Sequence, residues 1–272
     1  MPLEPMSIAL ALLALLGLLG GFMAGLLGIG GGMILVPFTS AILAAQGVGA
    51  ELALKMAIAT SMATIVFTSI SSVRAHHRRG AVRWDLVRRL APGIVAGAAL
   101  ASLGAFALIK GPALGVVFAV FVFFSGTQML LNKKPAATRQ LPGTAGLAGM
   151  GGVIGFLSGL VGAGGGFVSV PFMTWCNVPI HQAVATSAAL GFPIALANTA
   201  GYVAGGQSVG GLPAWSLGYV WLPALAAIAS CSVLMAPLGV RAAHALPVGK
   251  LKRVFGLVLY ALGAYMLHKT LG

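Results

Sequence analysis

Apolar residues fill long runs near positions 7–27, 52–73, 89–109, 112–131, 143–162, 182–204, 217–239 and 252–268, with polar residues gathered between them. A helix that crosses a bilayer needs about 20 such residues, so each run predicts a membrane segment. Two shorter runs, 33–45 and 167–176, follow glycine clusters directly and are too short to cross alone. They predict re-entrant or half-helices. The pattern therefore points to an all-α polytopic membrane protein with about 8–10 membrane segments. Composition agrees: 59% of the 272 residues are hydrophobic, 7% are charged, and the mean hydropathy is +1.02. A water-soluble globular fold is excluded. The leader carries Glu4 and no Lys or Arg, so the first run is read as a membrane segment rather than a signal peptide.

The chain matches itself. Residues 17–38 (GLLGGFMAGLLGIGGGMILVPF) and 151–172 (GGVIGFLSGLVGAGGGFVSVPF) align without gaps. The match resumes at Ala59, Thr60 and Ser61 against Ala185, Thr186 and Ser187, and again at Phe118, Gly126 and Met129 against Phe255, Gly263 and Met266. Two related membrane repeats follow, 1–131 and 143–272, joined by a polar linker at 132–142.

The formal charge of +13 would suggest nucleic acid in a soluble protein; in so apolar a chain it marks one membrane face instead. Arg74, Arg78, Arg79, Arg83, Arg88 and Arg89 cluster after the third segment, Lys133, Lys134 and Arg139 in the linker, and Arg241, Lys250, Lys252 and Arg253 before the last segment. Positive loops face the cytoplasm. The second-half counterpart of the arginine loop, 205–215 (GGQSVGGLPAW), carries no charge, which places it on the opposite side. The repeats are then inverted in topology, with both termini on the outer, periplasmic side of an inner membrane. Inverted repeats characterise transporters that bind substrate at the repeat interface.

Gly17, Gly21 and Gly25, and Gly151, Gly155 and Gly159, recur every four residues and are read as close-packing faces. The runs that follow, Gly28, Gly30, Gly31 and Gly32 around Ile29, and Gly162, Gly164, Gly165 and Gly166 around Ala163, are different. Each mid-membrane glycine lowers helix stability by about 1 kcal/mol relative to alanine. Non-helical backbone at that depth must be buried in protein or line a watery cavity. A half-helix starting after each run would aim its free N–H groups and positive dipole end into the break, which is an anion site made of backbone. The competing reading is a tight helix crossing without ligand.

Thr60, Ser61, Thr186 and Ser187 on the next helix of each half could donate to the same anion, or bond their own i−4 carbonyls. Asn198 and Gln128 are either interhelical bridges or substrate ligands. Glu4, Glu51 and Asp85 all fall outside the spans, so no intramembrane carboxylate offers proton or sodium coupling. His181, beside Asn177 at a helix mouth, is read as an interface residue with a gate as the alternative, and His76 and His77 as part of the arginine loop. Cys176 and Cys231 fit no disulfide framework and no metal site. No metal, cofactor or catalytic group is expected, and the chain is not read as an enzyme.

At these motifs the sequence resembles the TauE/SafE family of sulfite and organosulfonate exporters, within the wider toluene-sulfonate uptake permease superfamily. The likeness spans nearly the whole chain. It rests on GLLGIGGGMILVPF, GLVGAGGGFVSVPF, the two Ala-Thr-Ser triplets, the basic loop ending in GAVRWD, LPAWSLGYVWLPALAAIAS with APLGVRAAHALP, and the closing LKRVFGLVLYALGAYML. It implies an all-helical inner-membrane permease of small sulfur oxyanions or sulfonates, with Gly28 to Gly32 and Gly162 to Gly166 matching the duplicated glycine motif. Taken with the residue readings above, the candidate site is Gly28, Gly30, Gly31, Gly32, Thr60, Ser61, Gly162, Gly164, Gly165, Gly166, Thr186, Ser187 and Asn198, and the leading expectation is export of sulfite or an organosulfonate such as sulfoacetate by alternating access. Uptake of organosulfur compounds and a passive anion channel are the alternatives. The expected partners are the small anion and the lipid bilayer, with no nucleic acid; a homodimer is one arrangement open to it.

Overall fold

A computed structural model describes residues 3–131, 139–245 and 248–271. The chain forms helices α1 (Leu3–Leu27), α2 (Gly32–Ala45), α3 (Ala50–His77), α4 (Trp84–Ala99), a π-helical turn (Leu100–Ala105), α5 (Phe106–Leu108) and α6 (Gly111–Leu131). There follow α7 (Thr144–Val161), α8 (Gly166–Trp175), α9 (Ile180–Gly205), the short strands β1 (Ser216–Leu217) and β2 (Val220–Trp221), α10 (Leu222–Ala245) and α11 (Val248–Leu271). Seven helices among the described residues are long and apolar enough to cross a bilayer. The protein is an all-α multi-pass membrane protein. Residues 132–138 of the expected linker, with Lys133 and Lys134, lie outside the described residues; Arg139 follows them and stacks over Trp175 at 4.6 Å.

The apolar run at 217–239 divides. Ser216 pairs with Trp221 and Leu217 with Val220 in an antiparallel hairpin turned at Gly218, and the helix starts only at Leu222, running on to Ala245. The run at 52–73 is exceeded in the other direction, because α3 continues through Arg74 to His77.

Glycine faces set the packing. α1 lies against α10: a methyl group on Gly17, Gly21 or Gly25 would overlap the backbone at Ile228, Ser232 or Ala236, and one on Gly239 would overlap Phe22. α7 lies against α4 in the same manner, with Gly151 and Gly155 on the carbonyls of Leu90 and Ile94, and Gly93 and Gly97 on Ala148 and Gly152. Such contact lets backbones approach where lipid offers no hydrophobic drive between helices. α6 packs on α11, where the hydroxyls of Thr127 and Tyr260 are 2.6 Å apart. α3 and α9 form the centre, and Met56–Ile65 and Ala183–Gly191 are buried throughout.

Candidate functional site

α1 ends at Leu27 and α2 begins at Gly32 because the glycines between them take backbone angles closed to other residues. Gly28, Gly30 and Gly31 have φ of 68°, 76° and 75°, and in the second half Gly162 and Gly165 have 71° and 77°. Among the described residues no acceptor pairs with the N–H groups of Gly31, Gly32 and Met33, or of Gly165, Gly166 and Phe167. Neither α2 nor α8 carries an acidic residue in its first turn. Each helix thus presents free donors and a positive dipole end. Pro37 and Pro171 stand in the second turn of these helices.

The two breaks touch. Gly164 N–H donates to the Ile29 carbonyl at 3.1 Å, and a Cβ on Gly30 would come within 3.0 Å of Gly164. The serines reach across: Ser61 Oγ donates to Gly162 O at 3.0 Å, and Ser187 Oγ to Gly28 O at 2.9 Å. Ser169 Oγ donates to Ser187 Oγ at 2.8 Å. Each serine therefore satisfies a carbonyl in the break of the other half. The threonines make a second crossed pair, for Thr60 Oγ1 accepts from Trp221 N–H and Thr186 Oγ1 from Arg83 N–H, both at 3.0 Å. Thr64 and Thr68 bond the carbonyls four residues back, at 2.9 and 3.0 Å. Asn198 Nδ2 does the same to Ile194 O at 2.9 Å, while its Oδ1 is buried without a partner beside Gly159.

Gly28, Gly30 and Gly164 enclose, with Ser69, Ser72 and Gly191, a gap of about 10 Å³, the room of a single water. The space between the breaks is shut in this conformation. A cavity of about 390 Å³ opens beside it instead, between α6, α8 and the start of α9, reaching Ile29 and Gly166 at the breaks and Asn177 and, from α11, Lys252 at its far end. A cavity of about 290 Å³ occupies the corresponding place between α11 and the starts of α3 and α6, with Ser40, Glu51 and Lys269 in its wall, and stops short of the glycine breaks. Of the expected site residues, Gly166 lines the larger cavity.

Two features escaped the sequence. Ser125 lines the larger cavity with its Oγ buried and unpaired; the visible signal was a hydroxyl inside the apolar run VFFSGTQML, three residues before Gln128 on the same face. His76 is no loop residue. It ends α3 buried at 1% exposure, with Nε2 3.2 Å from Gly25 O, and its ring lies 5.8 Å from that of His244, which stacks on His181 at 5.3 Å. His77 does stand on the surface, accepting from Trp84 Nε1 at 3.1 Å. Two acidic groups pair locally: Glu51 with Lys55 at 3.1 Å and Asp85 with Arg83 at 2.7 Å, each acid in the first turn of its helix. Among the described residues no group of three or more His, Cys, Asp or Glu side chains could hold a metal ion.

The family model described as sulfite exporter TauE/SafE matches residues 13–266. A probable membrane transporter protein of Haemophilus influenzae is 36% identical over 257 residues, covering 94% of this chain and 97% of the relative. A second probable membrane transporter protein, of Methanocaldococcus jannaschii, is 25% identical and covers 95% of both chains. A third, YunE of Bacillus subtilis, is 28% identical over 65% of this chain and 71% of its own. No solved structure matches.

Proposed function

The chain belongs to the sulfite exporter TauE/SafE family, and on that premise we propose that it exports small sulfur-containing anions, sulfite or an organosulfonate, across the inner membrane. Two inverted halves, 1–131 and 143–272, would alternate access to an anion held by the N–H groups at the two glycine breaks. The observation that carries this reading is the crossed pair of serine bonds, Ser61 to Gly162 and Ser187 to Gly28, which joins equivalent positions of the two halves at the breaks.

Several features support it. The free amides of α2 and α8 suit a negative ligand. The unequal cavities suit a carrier caught with one entrance open to the break and the other closed, the open one lying toward the face that holds Lys252 and Asn177. Thr60, Ser61, Thr186 and Ser187 serve as the latch between the halves, and Asn198 Oδ1, still unpaired, remains available to a ligand. An inside-negative potential drives a monoanion outward by about 2.3 kcal/mol per 100 mV, so export needs no coupling ion.

Counterflow of labelled sulfite in proteoliposomes tests the proposal. Unlabelled sulfite on the far side should accelerate exit of the label, and an inside-negative potential should accelerate it further. Flux no greater than in protein-free liposomes would refute anion transport. Flux without acceleration by far-side substrate would make the protein a pore.

A further inference from the structure

The larger cavity is built unlike the gap between the breaks, and it asks for a different ligand shape. At about 390 Å³ it falls in the range of sites that enclose organic molecules. Its wall includes Gly166 and Phe167, whose N–H groups have no acceptor among the described residues, and Ser125, 1% exposed with an unpaired hydroxyl. Buried polar groups are almost always paired, and each exception calls for an explanation. Thr174, the other hydroxyl in the wall, is already bonded to the carbonyls of Val170 and Pro171. The remaining wall is largely apolar, with Leu27, Met129, Val170 and Val184 prominent.

The hydroxyl is also peculiar to one half. Gly126 and Gly263 correspond in the self-alignment, so Ser125 stands where the second half has Leu262. A group required only by the repeated architecture would recur in both halves; this one does not.

We propose that this cavity binds an organic anion, its charged head on the amides of Gly166 and Phe167 and the Ser125 hydroxyl, its carbon chain along Met129, Val170 and Val184. The assignment rests on the anion-transport reading above and adds the place, the orientation and the specificity-determining residues. Ser125 recognises the head; Val170 limits the chain. The anion enters tail outward from the side of Lys252 and meets the α8 break before the breaks part.

The test is calorimetric titration of the purified full-length protein with sulfite and with ethane-, butane- and hexanesulfonate. Affinity should rise about threefold to fourfold per added methylene in the intact protein. Ser125→Ala should weaken every sulfonate by about fivefold to tenfold. Val170→Phe, which places a ring in the tail region, should collapse the hexane-to-ethane affinity ratio, and this reads the chain contact independently if Ser125→Ala fails to fold. Equal affinity along the series, or two folded variants that bind as the parent does, would overturn the assignment. Sulfite counterflow in the same preparation separates the two failures. Counterflow without chain dependence sinks the cavity assignment alone, whereas absence of both counterflow and sulfonate binding sinks anion transport with it.

Discussion

Replacing Gly32 with alanine sets two known effects against each other. Gly32 opens α2 with no positive φ, so alanine gains about 1 kcal/mol of helix propensity there. Its new Cβ, however, would overlap the Gly162 carbonyl oxygen and stand 2.8 Å from Ser61 Oγ, where ordinary contact begins at 3.4 Å. The breaks must part by more than an ångström, which costs about 1–3 kcal/mol as overpacking and loosens the Ser61 hydrogen bond, worth about 1 kcal/mol more. The net expectation is a loss of about 1–3 kcal/mol, or a melting temperature lower by about 2–12 °C at ~2–4 °C per kcal/mol. Gly166→Ala meets the Gly28 carbonyl in the same manner and should fall by a similar amount. Gly149→Ala in α7 has open space around it, so it should gain about 0.5–1 kcal/mol and serves as the control. Thermal unfolding of the purified protein in one detergent, followed by intrinsic fluorescence, ranks the three. Gly32→Ala melting at or above the parent, with Gly149→Ala behaving as expected, would show that the breaks do not touch.

Ser187→Ala strands two groups, the Gly28 carbonyl and the Ser169 hydroxyl, whereas Ser61→Ala strands the Gly162 carbonyl alone. The first should therefore cost more, by about 1 kcal/mol in the same melting assay; the reverse order would contradict the network. Replacing Gly31 or Gly165 with alanine forces φ near 75° on a residue with a Cβ, and that Cβ would stand 2.5 Å from the Gly20 carbonyl or 2.6 Å from Ile194 Cδ1. Yield of folded protein should fall together with transport, as size-exclusion chromatography would report; full yield would argue that the breaks bend freely. Burial pushes the Cys176 thiol up, although Arg139 opposes this, so less thiolate is present at any given pH. In a Cys231→Ser background a water-soluble maleimide should label Cys176 slowly at pH 7 and faster as pH rises, by mass spectrometry. Labelling at pH 7 as fast as that of a free thiol would be inconsistent with its burial.

The breaks were legible because glycine in mid-membrane has a price in helix stability that only a special backbone explains, and GIGGG and GAGGG offered it twice. What Ser61 and Ser187 touch was not legible. Periodicity gives the face of a helix a residue occupies, but the carbonyl it meets lies about a hundred or more residues away in the other half. The hairpin at 216–221 was hidden by composition, since SLGYVW is as apolar as a helix start and only the turn at Gly218 betrays it. His76 was misplaced for a related reason: a run of arginines marks an interface without saying how far the helix continues into it. The cavity depends on how α6 and α11 stand beside α8, a matter of helix placement that no local pattern encodes.

The pairing of α1 with α10 and of α4 with α7 bears on how the chain is made. Synthesis of α10 begins about 200 residues after α1 is complete, roughly 10–40 s at ~5–20 residues per second. Through that interval the groove along Gly17, Gly21 and Gly25 faces lipid or a chaperone rather than its mate. A nascent chain stalled before Leu222 would be vulnerable to the quality-control proteases of the membrane, and two separately translated halves could fold only by finding each other.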